Sequence, residues 1–426
     1  MREYNIKAFG AIADAKTNNA VAIQAAVDAC ALAGGGRITV SEGTYLTGTV
    51  VLKSNVELHI EADATLLASP NHEDFPDFPK YHVDVTKLSR FSGAAMIYAE
   101  ECENIAITGK GKIDGNGYAY VTKCEPYHSG WNYKRNGINT LPRVVFFTGC
   151  KNVLVEDITL VDAPAGWAYW IHDCDFVHFE RAKILCGLDF PNNDGIHINS
   201  SRDVTVANCI IKTGDDCLVV RAANRSLKEP KICERVTVSG CTLMSHTNAI
   251  RIGWVGDGTI RNCTFQNITV DETRTGITVY LPTAEVAFSD NTPDACKTGT
   301  LCRNEKASFA LEKTHIENVS FSNITMQNIY LSPVHIEIDP DERTPCDCVK
   351  NLFFGHIYAQ TAGFPYLSGR GNCRLQNICF SDCDFRKVHP ESLAFSFPQT
   401  LEEITPLVVK FAENVSFSNT TFSSEL

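Results

Sequence analysis

Short segments in which apolar and polar residues alternate recur along almost the whole chain. They read NVELHI (55–60), NIAITG (104–109), NVLVEDITL (152–160), FVHFERAKIL (176–185), DVTVANCII (203–211), RVTVSGCTL (235–243), IRNCTF (260–265), HIENVSFSNITM (315–326), NLFFGHIYA (351–359), RLQNICFSDCDF (374–385) and NVSFSNTTF (414–422). A period of two marks a strand with one buried face. Each segment contains or follows an Asn, Gly or Asp suited to a tight bend. Where little is inserted, the repeat is roughly 22–32 residues, the range of stacked repeats. Short strands without intervening helical patterns exclude an α/β barrel. The pattern predicts an all-β parallel β-helix, a solenoid occupying 1–426 as one domain. Each coil would pair its backbone with the next and stack its inner side chains in ladders.

The ends of a solenoid need covers. AVAIQAAVDACALAGGG (20–36) reads as an amphipathic helix stopped by glycines, placed to cap the first coil. The glycine run lacks the G-K-[ST] of a phosphate loop. Three segments break the repeat: 69–92, 116–142 and 281–312. Long insertions on a rigid scaffold build binding faces, so these are the expected walls of a site.

The net charge of -12 argues against a nucleic-acid partner, whose phosphates need a basic face. No run of about 18 apolar residues is present, so no membrane-spanning helix is expected. The opening MREYNIKAFGAIAD has no apolar signal region, which points to a cytoplasmic protein unless the chain begins after a cleavage. Among 18 cysteines, Cys209, Cys241 and Cys263 recur in VANCII, VSGCTL and IRNCTF. They are expected to form one buried column of reduced, small apolar side chains. Cys346-Asp-Cys348 could be a metal pair, but no third or fourth ligand is spaced to join it. Neither metal nor cofactor is therefore expected. Asn318, Asn323 and Asn414 head Asn-x-Ser/Thr triplets, here read as repeated turn positions rather than glycan acceptors.

The densest polar cluster is PNNDGIHINS followed one coil later by TGDDCLVVRA. It sets Asp194 and the pair Asp215/Asp216 at the same stage of adjacent coils, about 4.8 Å apart. A regular strand would send two successive aspartates to opposite faces. A buried face does not hold an unpaired carboxylate cheaply, so the pair is expected at a bend. Clustered carboxylates repel and at least one pKa should rise, as a general acid requires. A Ca²⁺ site and plain turn aspartates are the alternatives at this stage.

PRVVFFTGCKNVLVEDITL, PNNDGIHINS, TGDDCLVVRA and IRIGWVGDGTIRNCTF, in this order, resemble glycoside hydrolase family 28, the polygalacturonases and their relatives. The resemblance runs through most of the chain and includes the glycine-ended cap. It implies a right-handed parallel β-helix that hydrolyses pectin-derived or related oligosaccharides with inversion. The family signatures N-T-D and G-D-D stand here as Asn192-Asn193-Asp194 and Gly214-Asp215-Asp216. By resemblance Asp215 is the general acid, and Asp194 and Asp216 hold and activate the water. Inversion calls for acid and base roughly 6.5–9.5 Å apart.

Two further signatures are altered. SHTNAIRIG aligns with G-H-G-x-S-I-G and puts Asn248 where the family has histidine, with His246 two residues earlier. TGITVY aligns with G-x-R-I-K and puts Thr278 and Tyr280 where the family has the Arg and Lys that grip a uronate carboxylate. Arg251 and Arg221 read as outward and are the candidate substitutes, Arg being suited to bidentate carboxylate binding. Asn192, His197, His246, Asn248 and Tyr280 complete the candidate sugar-binding set. Trp254, Trp131 and Tyr133 are candidate stacking platforms, whereas Trp167 and Trp170 are expected to pack under a loop. Insertions long enough to wall off one end of the groove suggest an exo-acting enzyme. The competing possibilities are a β-helix lyase or epimerase acting on uronates and a β-helix that binds glycan without cleaving it.

Overall fold

The computed structural model describes residues 2–76, 94–127, 131–135, 142–164, 166–224, 227, 229–283, 289–290, 302–303, 312–342, 344–394 and 406–425. Its strands form a continuous parallel ladder of coils, a right-handed β-helix with three strands per turn. One full coil runs through Arg202–Ala207, Ile210–Thr213 and Leu218–Arg221. The next runs through Cys233–Ser239, Thr242–Ser245 and Asn248–Ile252. Each strand pairs with its counterpart in register, Val204 with Val236, Ile211 with Leu243 and Val220 with Ile252.

This register turns the sequence alternation into columns. Inside the helix, Phe265, Phe321, Phe354, Phe380 and Phe417 stack with ring centroids 5.1, 5.0, 4.6 and 5.0 Å apart. These separations are those of adjacent hydrogen-bonded strands, so the backbone spacing alone brings the rings into contact. The helix Ala20–Leu32 covers the first coil with Ile23, Ala26, Val27 and Cys30, all fully buried. It stops at Gly34 and Gly35, which adopt φ of 90° and 107°. A Cβ on Gly35 would lie 2.4 Å from the Asn55 carbonyl oxygen, so the return into the strand Gly36–Val40 needs glycine there.

From Asn104 onward the coils also carry two left-handed residues five positions apart, for example Asp203 and Asn208, Asn262 and Asn267, or Asn318 and Asn323. Asparagine tolerates this conformation better than other side-chain-bearing residues. Its amide adds a ladder: Asn351 donates to Asn318 at 2.9 Å, Asn377 to Asn351 at 2.8 Å and Asn414 to Asn377 at 3.0 Å. Asn318, Asn323 and Asn414 thus occupy the turn positions read from the sequence.

The cysteine column differs from expectation. Cys209 and Cys241 do stack, since Thr242 N–H donates to the Cys209 carbonyl. Cys263 instead follows Val236 and precedes Val319 in a different column. The error has a physical source. Cys209 and Cys241 follow the second left-handed residue of their coils (Asn208 and Gly240), whereas Cys263 follows the first, Asn262. A short motif does not distinguish the two bends. All three thiols are buried as expected.

The ladder predicts a specific order of stabilities. Asn351→Ala loses two amide contacts and forces alanine into φ 56°. The cost should be about 1–3 kcal/mol. Asn351→Gly loses the same contacts without backbone strain and should melt at a higher temperature than the alanine variant. Calorimetry showing the reverse order would remove the strain argument.

Candidate active site

The three aspartates meet at the bends leading into the third strand of consecutive coils. Asp194 precedes Ile196–Asn199, and Asp215 and Asp216 precede Leu218–Arg221. The pair therefore escapes strand alternation, and one ligand oxygen from each of the three lies within 4.8 Å of the others. Asn193 sets the spacing. Its Oδ1 accepts from the Gly214 and Asp215 N–H groups at 2.7 and 3.0 Å, and its Nδ2 donates to the Gly187 carbonyl at 2.8 Å. Gly214 permits the approach, because a Cβ there would sit 2.3 Å from the Phe190 carbonyl oxygen. The Asp215 carbonyl accepts from Thr213 Oγ1 at 2.6 Å and Ser245 Oγ at 2.7 Å.

Each carboxylate has a distinct environment. Asp215 Oδ2 accepts from the backbone and side-chain amides of Asn192 at 3.2 and 3.1 Å. Asp215 Oδ1 accepts from Asp216 N–H and from Thr247 Oγ1, both at 3.0 Å. Asp216 pairs with Arg251 Nη1 at 3.1 Å and accepts from Asn248 Nδ2 at 2.5 Å. Asp194 Oδ2 lies 2.7 Å from His197 Nε2. Burial raises the Asp215 pKa well above the usual carboxylate range, with Asp194 and Asp216 adding like-charge repulsion; the hydrogen bond from Thr247 and the Arg251 charge only partly oppose this. Burial and the Asp216 charge raise Asp194 as well. His197 moves the opposite way, its burial and the Arg221 charge holding it well below the usual histidine range. Desolvation thus favours the uncharged forms around Asp216, the ion-paired member. A cation would have to displace N–H and O–H donors already seated on Asp215 and Asp216. That donor set suits proton chemistry better than Ca²⁺, which needs 6–8 free oxygens.

Several candidates take other places than expected. His246 is fully buried, with Nδ1 3.0 Å from the Leu188 carbonyl and a pKa lowered to about 4 by burial. It does not offer a replacement for the family histidine. Arg221 is outward but committed: it makes a bidentate pair with fully buried Asp257 at 2.6 and 2.8 Å. Buried ion pairs hold their geometry because either partner alone would be strongly penalised, so Arg221 braces the loop rather than awaiting a substrate carboxylate. Asn248 holds Asp216 and accepts from Thr278 Oγ1 at 2.5 Å. Arg251 lies over Trp254, its guanidinium carbon 3.9 Å from the ring centroid, which leaves only the other indole face for a sugar. Tyr280 meets Trp254 edge-on with centroids 6.0 Å apart.

Trp167 also corrects the sequence expectation. Trp170 is buried, stacked on Phe146 at 4.2 Å and edge-on to Trp167 at 5.4 Å. Trp167 itself is half-buried at φ 61° and stacks on His197 with centroids 3.7 Å apart. Arg143, absent from the sequence candidates, lies over Trp167 at 4.1 Å and places positive charge near Asp194. Its signal was a cation opening an otherwise apolar run, PRVVFF, which a buried strand accommodates only with partners. Thr247, also missed, has no signal beyond its place beside Asn248.

Of the insertions, 69–76, 116–127, 131–135, 142, 281–283, 289–290, 302–303 and 312 are described. Val121–Tyr127 and Trp131–Arg135 form an antiparallel hairpin. The side chains of Trp131 and Tyr133 lie outside the described residues. The hairpin base reaches the site through Tyr118, edge-on to Phe190 at 4.6 Å, two residues before Asn192.

The sequence model of Glycosyl hydrolases family 28 matches residues 30–233, which include Asn192–Asp216. Over that segment the chain resembles glycosyl hydrolase family 28. A polygalacturonase of Gossypium barbadense is 25% identical over 350 residues, covering 74% of each chain. An exo-poly-alpha-D-galacturonosidase of Dickeya chrysanthemi is 30% identical over 250 residues, covering 50% of this chain and 41% of that one. The family 28 exopolygalacturonase of Yersinia enterocolitica superposes with a TM-score of 0.72 at 20% identity, covering all of this chain and 77% of that one. The structural likeness concerns the fold. That likeness supports glycoside hydrolase function for this β-helix.

Asp215→Asn should retain the fold and lower turnover by about 10²–10⁴. For a proton donor with a raised pKa, activity should persist above the usual carboxylate range and fall as pH rises through that pKa. Stability should follow the same sign. Asp215 is raised in the fold, so its contribution is intact below the unfolded value and is lost as pH rises through the folded one. The asparagine variant should therefore melt higher than wild type at neutral pH, and the gap should close in acid. An inactive variant with a lower Tm at neutral pH would contradict the electrostatic account.

Proposed function

We propose that this protein hydrolyses a glycosidic bond near the end of pectin-derived oligosaccharides by an inverting acid–base mechanism. The observation carrying the reading is the triad itself: a buried Asp215 with a raised pKa beside an ion-paired Asp216 and an Asp194 backed by His197. Asp215 donates the proton to the leaving oxygen, Asp216 deprotonates the attacking water, and Asp194 helps to orient it. The protonated donor and the ion-paired acceptor are the two environments such a division of labour needs. The names of the Dickeya chrysanthemi relative and of a Zea mays exopolygalacturonase, 23% identical over 350 residues, support exo action on galacturonate chains. With Thr278 and Tyr280 in place of the family Arg and Lys, Arg251 is the cation assigned to a uronate carboxylate. The free thiols among the described residues, most of them buried, fit the proposed cytoplasmic location, where imported fragments would be the substrate.

One observation favours retention instead. The carboxylate oxygens approach within 4.8 Å, less than the roughly 6.5–9.5 Å expected of an inverting pair and nearer the roughly 5–5.5 Å of a retaining one. Coil spacing is the reason, since residues at one bend of adjacent coils are only about 4.8 Å apart. Inversion then places the water outside the carboxylates, held by two of them, rather than between acid and base. Proton NMR of the first-formed sugar decides this: an inverted anomer is expected, and a retained one would make one aspartate a covalent nucleophile.

Incubation with acidic and neutral pectic oligosaccharides, scored for reducing ends, tests the substrate. Acidic oligomers should be cut, with monosaccharide or one fixed unit released from the first time points. Arg251→Met should raise KM for these substrates and, by leaving Asp216 without its ion-pair partner, also lower kcat. A ladder of intermediate sizes would show endo action, ultraviolet-absorbing unsaturated ends a lyase, and binding without new ends a lectin-like β-helix.

A further inference from the structure

A second constellation of chemically reactive side chains lies away from the aspartates, where two coils meet at His315 and Cys348. The spacing of Cys346-Asp-Cys348 offered no further ligand along the chain, but the neighbouring coil supplies one. His315 Nδ1 lies 2.8 Å from Asp347 Oδ2, and Cys348 Sγ lies 3.4 Å from each ring nitrogen. One donor atom from each of the three residues falls within 4.8 Å of the other two.

The backbone is locally irregular in the way this convergence requires. Thr314 pairs with Cys346, yet His315 pairs with Cys348, so Asp347 is an extra residue bulged out of the ladder. In a regular strand Asp347 and Cys348 would face opposite sides. A bulge re-aims side chains and is over-represented next to functional sites. Here it turns two successive residues toward one imidazole. A carboxylate also backs the histidine: Glu317 Oε2 is 3.3 Å from His315 Nε2, and Lys350 Nζ is 3.2 Å from the same oxygen. A hydrogen bond from Nε2–H to Glu317 leaves Nδ1 as the lone-pair donor facing Asp347 and Cys348. Such carboxylate–histidine pairs orient metal ligands.

We propose that His315 Nδ1, Asp347 and Cys348 Sγ form a binding site for a zinc-like divalent cation, with Glu317 as the positioning carboxylate. Thiolate, imidazole and carboxylate together match a borderline-soft ion rather than Ca²⁺ or Mg²⁺. A tetrahedral site with bonds of about 2.0–2.3 Å has ligand–ligand edges of about 3.3–3.8 Å. The His315–Cys348 separation of 3.4 Å lies within this range, and the His315–Asp347 separation of 2.8 Å, shorter than the range, would lengthen as an ion enters between them. Three protein ligands leave a fourth position for water. The His315 N–H donates to the Gly258 carbonyl at 3.1 Å, and Thr314 Oγ1 donates to the Trp254 carbonyl at 3.0 Å. The cation would thus tie two coils together at the base of the loop that carries Trp254 and Asp257.

Cobalt(II), titrated into the metal-free full chain, is the direct probe. A saturable near-ultraviolet thiolate-to-cobalt charge-transfer band is expected, displaced by zinc. Cys348→Ser should abolish the band, and Cys346→Ser should keep it although Cys346 lies 2.7 Å from the neighbouring Cys373 sulfur. Glu317→Gln, which retains all three ligands, should weaken zinc in competition by about 10–100-fold. Circular dichroism of each variant checks that the β-helix persists. No charge-transfer band in the wild type, a band that survives Cys348→Ser, or one lost with Cys346 would each overturn the proposal.

Discussion

The separation of hydrogen-bonded parallel strands, about 4.8 Å, is the constraint on which the rest of this molecule depends. Every coil must place its backbone at that distance from the next, so residues at equivalent stages are forced into columns. For Phe265, Phe321, Phe354, Phe380 and Phe417 the spacing is favourable, because it is also the distance at which rings stack. For asparagines at the left-handed bends it is again favourable, because it lets one amide donate to the next. For carboxylates it is costly. Asp194 and the Asp215/Asp216 pair are held together by the same ladder that builds the core.

That cost is what makes the site chemically useful. Buried like charges favour the protonated form of Asp215, while Arg251 and Asn248 supply donors to Asp216. A chain free to move would separate the three groups or hydrate them. Here Asn193, linked to Gly214, Asp215 and Gly187, ties the two bends so that neither can retreat. Strain is present beside them too: Trp167 and Asn192 both sit at positive φ, and Trp167 covers the His197 ring that backs Asp194. Local conformations of this kind persist only where the surrounding structure fixes them.

Much of this was legible without coordinates. Period-two alternation, the bend residues between segments and the glycine-ended helix identified the solenoid and its cap, because these signals report backbone geometry directly. Two aspartate motifs one repeat apart identified the triad, because a repeat converts sequence spacing into spatial proximity. Column assignment was less secure. Cys263 was placed with Cys209 and Cys241 because each coil contains two left-handed bends with similar local sequences.

The order of strands, the buried face of each and the meeting of Asp194 with Asp215 and Asp216 are properties of the sequence itself, since pattern and period suffice to fix them. The uses of the cationic and aromatic side chains around the site were decided only by tertiary structure. Arg221 and Arg251 look alike as outward residues of neighbouring strands, yet one pairs with Asp257 in the loop above and the other with the catalytic Asp216. His246 turns to a buried carbonyl, and Arg143 reaches Trp167 from two coils away from His197. His315 meets Asp347 and Cys348 through a one-residue bulge. Long side chains choose partners by rotation and by the loops above them, and bulges shift register by single residues. Neither degree of freedom leaves a periodic trace in the chain.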